Sequence, residues 1–510
     1  MENMLPLFVV IPLGAAFVIP VLGLFRLEKA WDIVAVAATL AVLTLSITML
    51  TGESVVVTWI GGYVGTRDVG SLTGIPLVSD GLSRLILLVV NGIAAAATIY
   101  SMSYIKRYTK TYLYYVLLLL MVAGMNGIAL SGDLFNIYVF VEITAIASFA
   151  LVGYTLKSEA LEATFKYLVL SGIATSFVLL GIALVYKQTG TLNLAQIGGL
   201  LEGKEIGKPL WLAFGLILGG FSLKAAMVPF HAWLPDAHPS APAPISAMLS
   251  GVMIKASGVY VLARIAFNVL GASYASGVLF MALGSLSMLI GVLLAVGQWD
   301  FKRLLAYHSI SQMGYVVLSL GVGLEMMAQG SPTIGYVAVF GGLFHLMNHA
   351  LFKSLLFLCS GSAVHRTGSR MLKKIQGIAG RMPVTGLCTR IASLSISGVP
   401  PFNGFFSKLL ITIAVVWAGH WALGLVTIVA SFLTLVSFTK VQRYLVEGEL
   451  AEEYETIEES PYPMVVPMVV LAVLCATVGV LVPVYKDVLL GPASDVLVGG
   501  FNYTNAIFGG

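Results

Sequence analysis

Apolar runs of about eighteen residues or more recur along almost the whole chain, from Leu5–Leu24 to Met464–Val482. Each is long enough to cross a hydrocarbon core of ~30 Å. In hydrocarbon every backbone N–H and C=O must be satisfied within the segment, so these runs are expected to be helices. At ~20 residues per span the chain holds about fourteen of them. Charged residues make up 10% and hydrophobic residues 58%, whereas soluble domains carry roughly 25% charged residues. A soluble globule is therefore excluded, and a net charge of +4 with no basic cluster points away from nucleic acid. The run Leu5–Leu24 is too long for a signal-peptide core and lacks a basic flank, so it is expected to be retained as the first span. Cys359, Cys388 and Cys475 stand alone in apolar runs and fit no metal or haem spacing.

The stretch Phe221–Ser257 interrupts this pattern. Lys224 sits in an apolar run that breaks at Pro229, Pro235, Pro239, Pro242 and Pro244, and a second apolar run carries Lys255. Irregular backbone at membrane depth survives only inside protein or along a wet cavity. A similar interruption, Pro400–Pro401, precedes Lys408. The two are separated by roughly 160–170 residues, the pattern of paired broken helices in transporter repeats. The chain then divides into N-terminal spans (1–110), a first five-span repeat (111–270), a second (271–445), and an acidic loop, last span and tail (446–510). Five is odd, so the second copy enters from the opposite side.

Odd-numbered loops hold about fifteen Lys and Arg, including Arg26, Lys106, Arg107, Lys302 and Arg303, against about five elsewhere. The positive-inside rule then places odd loops in the cytoplasm and both termini outside. Between the second and third spans, Val55–Trp59 reads as a short hairpin strand, and Glu447–Glu459 as a solvated acidic loop.

Ionisable residues inside spans are the functional candidates: Glu142, Lys224, Lys255, His345, His349, Lys353 and Lys408. Each charge at a helix centre costs roughly 2.5–3.5 kcal/mol. Burial disfavours a lysine's charge and a nearby carboxylate restores it, so a Glu142–Lys224 pair is an adjustable proton carrier. His345, His349 and Lys353 recur every four residues and share one helix face; imidazoles bridge well because they titrate near neutrality. His231 and His238 in the proline-rich break, and His308 near a basic loop, extend this set as access-path candidates. Plainer readings stay open. Glu142–Lys224 also reads as a static buried pair. His345 and His349 also read as core histidines, or as two ligands of a metal lacking a third. Lys353 also reads as snorkelling to the interface.

At these residues the chain resembles a known family. KAAMVPFHAWLPDAHPSAPAPISAMLSG, LFHLMNHALFKSLLFLCSGS and SISGVPPFNGFFSK look like signatures of the antiporter-like subunits. These comprise the proton-channel subunits of respiratory complex I, the A and D components of Mrp-type Na+/H+ antiporters, and membrane subunits of energy-converting hydrogenases. The likeness spans roughly Tyr112 to Phe438. It implies an all-α membrane fold of about fourteen helices with two inverted five-helix repeats, each with a broken helix. It implies that Glu142 is the glutamate of the fifth helix, and Lys224 and Lys255 the lysines of the seventh and eighth. His345 and His349 match the central histidines of the eleventh, and Lys408 the terminal ionisable group of the twelfth. A lysine there points to the D component of Mrp antiporters and its hydrogenase relatives. No long lateral helix is expected after the last span, unlike in the largest members.

The expected function is proton translocation along this axis, in a cytoplasmic-membrane complex with other Mrp-like, complex I-like or hydrogenase-like subunits. No cofactor, metal or redox motif is expected in this chain, and electron transfer would belong to partners. The axis offers mostly nitrogen, whereas sodium needs oxygen ligands, so sodium would pass through a neighbour. The rivals are a stand-alone solute or cation/H+ transporter, and a structural or quinone-site subunit.

Overall fold

The computed structural model describes residues 2–25, 28–69 and 74–508. Arg26, counted above among the loop cations, lies outside them. The main helices are α1 (Leu7–Leu24), α2 (Glu28–Thr48), α3 (Gly81–Tyr104), α4 (Thr111–Leu130), α5 (Leu134–Val152), α6 (Ser158–Thr189) and α7 (Lys208–Lys224). They continue as α8 (Ala243–Val269), α9 (Tyr274–Val296), α10 (Phe301–Ala328), α11 (Pro332–Thr367), α12 (Pro383–Ser397), α13 (Asn403–Trp417), α14 (Trp421–Val441) and α15 (Tyr462–Thr477). Among the described residues eleven helices are long and apolar enough to cross a membrane, and a twelfth is added if α15 and Val482–Val498, bent by 92°, count as one span. The chain is thus a multi-pass integral membrane protein.

The hairpin expected at Val55–Trp59 forms as β1 (Val56–Ile60) paired antiparallel with β2 (Ile75–Ser79), in register Val56↔Ser79 to Ile60↔Ile75. It lies over one end of the bundle, where the Gly132 N–H donates to Pro76 O at 2.9 Å. Helices α9 and α10 meet backbone to backbone. A Cβ added at Gly314 would come within 2.5 Å of the Gly284 carbonyl, the close approach that small residues permit between membrane helices.

Two breaks set the interior. Helix α7 stops at Lys224, before the first proline of the break, Pro229. Pro229 has no N–H to continue the ladder and disfavours helical backbone at the residue before it, and Ala226 turns into the left-handed region at φ 55°. The Trp233 indole N–H also donates to the Leu223 carbonyl in the last turn, at 3.0 Å, ahead of a short helix, Leu234–Ser240. Helix α12 stops at Ser397, followed by Gly398 at φ 76°. Here Lys408 donates to the freed Ile396 carbonyl at 2.8 Å and Ser431 to Ser397 O at 3.1 Å. Between the breaks, α8 widens into π-helical turns at Leu249–Met253, Lys255–Tyr260 and Ile265–Val269. Such widening is frequent at functional sites.

Two loops differ from expectation. Lys302, counted above as a loop cation, is 3% exposed and donates to Ala241 O at 2.7 Å. Glu459, in the acidic loop, is not simply solvated: its carboxylate accepts from the Val384 N–H at 2.8 Å and the Thr385 hydroxyl at 2.6 Å, capping α12.

Candidate functional site

Ionisable side chains lie at intervals through the middle of the bundle, each held by a different helix pair. Glu142, on α5, sits at the flank of the bundle with its side chain 31% exposed, and its Oε1 lies 4.0 Å from Lys224 Nζ. That is an ion-pair distance but too long for a hydrogen bond. The buried Lys224 ammonium donates instead to the Ser171 hydroxyl on α6. Helix α6 positions the break from the same face: Tyr167 stacks on Trp233 with centroids 4.2 Å apart, and Lys166 pairs with Asp236 at 3.1 Å.

Lys255 is buried on α8 and donates to Ser250 O at 2.7 Å, five residues back in the widened turn Leu249–Met253. The Ser250 and Ser309 hydroxyls meet at 2.7 Å, linking this turn to α10. Gly258 lets the end of α7 abut α8: a Cβ there would come within 2.6 Å of Ala225.

Helix α11 carries the centre. Lys353 is fully buried and donates to Leu305 O at 2.5 Å, so it does not snorkel. Its ammonium lies 5.8 Å from the Phe357 ring, on which buried His238 also stacks, at 4.6 Å. The structure thus brings His238 of the proline-rich segment onto the α11 face. Both nitrogens of His238 and of His349 lack protein partners. His345 is fully engaged, Nδ1 with Ser407 Oγ at 2.9 Å and Nε2 with Gln312 Oε1 at 3.2 Å. It therefore ties α11 to α13 and α10.

Lys408 lies beyond. Besides Ile396 O it reaches Ser431 Oγ at 3.3 Å, with the Tyr315 ring 5.1 Å away. The His345 ring lies 5.5 Å from the same tyrosine, which therefore stands between them. A crevice of about 390 Å³ lined by Ser397, Lys408, Thr412, Thr427 and Ser431 opens here between α13 and α14. His308 is buried, not at the surface, and pairs with Ser437 at 2.8 Å. His231 is only half-buried.

Glu142 and Lys224 are therefore brought together, as are His238 and Lys353. Lys255 makes no direct bond to another ionisable candidate. Among the described residues no group of three His, Cys, Asp or Glu is arranged to hold a metal. Sequence reasoning missed Ser171, Gln312, Tyr315 and Ser407. Their polarity in mid-span was visible, but not which of them face the axis.

Comparison with known proteins gives a consistent picture. A family model described as NADH:quinone oxidoreductase/Mrp antiporter, TM matches residues 131–434. The chain is 37% identical to the N subunit of NADH-quinone oxidoreductase from Desulforudis audaxviator, over 72% of each chain. It is 31% identical to the D component of the Na(+)/H(+) antiporter of Alkalihalophilus pseudofirmus, over 80% of each. A chain in the structure of the Mrp complex from Dietzia sp. superposes with a TM-score of 0.88 at 28% identity, covering 100% of this chain and 99% of that one.

Proposed function

The chain belongs to the NADH:quinone oxidoreductase/Mrp antiporter family of membrane proteins, and we propose that it is a proton-translocating, antiporter-like subunit of a multi-subunit complex. That complex is an Mrp-type antiporter or a redox-driven pump such as a membrane-bound hydrogenase. The observation that carries this reading is the file of buried Lys224, Lys255, His349, His345 and Lys408, with part-exposed Glu142 at its flank and all three lysines on or beside a break or a widened turn. Buried charge without a role is costly to keep. Orphaned polar atoms on His349, His238 and Gln312 are groups that water ordinarily satisfies in a protein interior.

In this reading Glu142 and Lys224 load a proton from one half-channel. Lys255, His349 and His345 carry it to Lys408, which exchanges it with the other. His231, His238, His308 and Lys353 serve access from the side of the proline-rich segment. Lys224 has a hydrogen-bond acceptor, the Ser171 hydroxyl, and a separate ion-pair partner, Glu142, so a shift of Glu142 changes the charge that Lys224 sees. The flank position of Glu142 and the crevice at Lys408 favour neighbouring membrane subunits on both sides, where a lone transporter would leave a part-exposed carboxylate and an open polar crevice against lipid. Sodium, where exchanged, passes through a neighbour, and electron transfer belongs to partner subunits.

The architecture belongs to the same proposal. Counting α7 with Leu234–Ser240 as one broken span, and α12 with α13 as another, gives fourteen spans. Residues 111–270 and 271–445 form inverted repeats between the N-terminal spans (1–110) and the last span and tail (446–510). Support comes from the matched design of the breaks, each with a lysine beside it and a side-chain donor on a carbonyl of the last turn before the break. Both termini lie outside, by the cation bias of the loops. The test is proton transport by the assembled complex carrying Lys224→Ala; wild-type transport by a fully assembled variant ends the proposal.

A further inference from the structure

We propose that the Glu325–His420 pair is the outer proton-exchange site serving Lys408, an assignment that rests on the proton-axis reading above. Glu325 closes the last turn of α10 and its side chain is 4% exposed. Its Oε2 lies 2.5 Å from His420 Nε2, and Oε1 accepts from Gln329 Nε2 at 3.1 Å. Gly277 of α9 covers it so closely that a Cβ there would come within 2.8 Å of Glu325 Cβ. Among the described residues no other charged side chain pairs with either partner. His420, 27% exposed, sits in the turn between α13 and α14. It is flanked by exposed Trp417 and Trp421, the residue type that marks a membrane–water boundary.

The interior between Lys408 and this pair is graded. Along α13 the nine residues from Lys408 to Trp417 rise ~14 Å, and the turn that carries His420 follows. The first turn is polar: Ser431 beside Lys408, then Thr412 and Thr427 with hydroxyls 2.9 Å apart, all lining the same crevice. The next is apolar, built from Val322, Met326, Val415, Ala418 and Leu423, and there a Cβ on Gly424 would come within 2.7 Å of Val416. The sequence along the path is a buried amine, a hydroxyl ladder, a dry constriction, and an acid–base pair at the mouth.

A buried carboxylate needs a partner, and here the partner is the partly exposed His420 imidazole, whose ring nitrogens can take up or give a proton. When water enters the constriction, the Lys408 ammonium releases a proton through the threonine hydroxyls and becomes a neutral amine. The pair accepts that proton as imidazolium with carboxylate, and outer water takes it from His420. The reverse order loads Lys408 from outside.

The test measures proton flux in membrane vesicles holding the assembled complex, with the pH varied on each side in turn. Wild type, Glu325→Gln, His420→Asn and Lys408→Ala are compared. The expected result is that Lys408→Ala abolishes flux. Glu325→Gln and His420→Asn should lower it at least ~ten-fold or move its midpoint on one side only by about one pH unit. If Lys408→Ala abolishes flux but the two assembled variants match wild type in rate and midpoint, the outer-site inference is wrong while the axis stands. Wild-type flux from Lys408→Ala overturns both. Should Glu325→Gln fail to assemble, His420→Asn, in a partly exposed turn, decides alone.

Discussion

The Lys224 ammonium lies 4.0 Å from Glu142 Oε1, yet its hydrogen bond goes to Ser171. A charge pair without a shared hydrogen bond is attracted but not locked, so the lysine stays responsive to its carboxylate neighbour. Removing the amine with Lys224→Ala leaves Glu142 without a carrier to load. Proton transport by the assembled complex should fall at least ~hundred-fold, while the complex, measured by native electrophoresis, still forms. The alanine leaves the flanking helices intact because Lys224 is the last residue of α7.

Ser171→Ala tests the other half of that relationship. Without the hydroxyl, Glu142 becomes the nearest strong acceptor and the ammonium swings toward it. A hydrogen bond to a charged group is worth ~1.5–3 kcal/mol, so transport should slow by about ten-fold or more, with assembly unchanged. The initial rate of proton uptake into vesicles measures this. An unchanged rate would mean that Glu142 alone sets the state of Lys224.

Asp133 gives a pH-dependent stability with a definite sign. It precedes α5 outside the spanning segment and accepts from the Asn136 N–H at 2.8 Å. Burial pushes its carboxyl up to about 6, against the lowering effect of the Asn136 and Phe135 amides. A folded value above the ordinary 3.8 means that the carboxyl's contribution is fully present below that pH and is lost as pH rises through about 6. Detergent-purified protein should therefore lose thermal stability across this window. Asp133→Asn retains a capping oxygen and should flatten the slope in thermal melts taken at several pH values.

The spans and the ionisable residues within them were legible in the sequence because length, hydropathy and an ion in hydrocarbon are local properties. The end of α7 at Lys224 was not, because it depends on Pro229 acting backwards through Ala226. Lys302 sits in a basic stretch whose neighbour Arg303 is exposed, and only folding shows that the Ala241 carbonyl waits for it. Ser171, Gln312 and Ser407 are single polar residues on long apolar helices. Hydropathy cannot say which helical face meets the axis when the bundle buries several faces at once. Glu459 was hidden by its acidic neighbours, since a capping carboxylate and a solvated one have the same local sequence.

Asp80 and Arg264 show what a structural ion pair looks like in the same protein. The guanidinium meets both carboxylate oxygens, at 2.7 and 2.9 Å, and lies 4.8 Å over the Tyr503 ring. Asp80 also caps α3 by accepting from the Ser83 N–H at 2.9 Å. Asn268, one turn after Arg264, donates to Val496 O and Gly500 O, so the cluster ties α3, α8 and the C-terminal segment together. Burial alone would raise the Asp80 carboxyl, but Arg264 and the Ser83 donors hold it below its ordinary value. Its contribution is accordingly present above 3.8 and is lost only as pH falls through its lower folded value, outside the window in which Asp133 titrates. Asp80→Asn keeps the cap but strands the guanidinium, and Arg264→Met strands the carboxylate. Each should cost about 3–5 kcal/mol, and the double variant clearly less than their sum, because breaking a buried pair leaves an uncompensated charge that removing both does not. Thermal melts of the four proteins close the cycle. Additive losses would mean that the two residues stabilise the fold separately, through the cap and the Tyr503 contact.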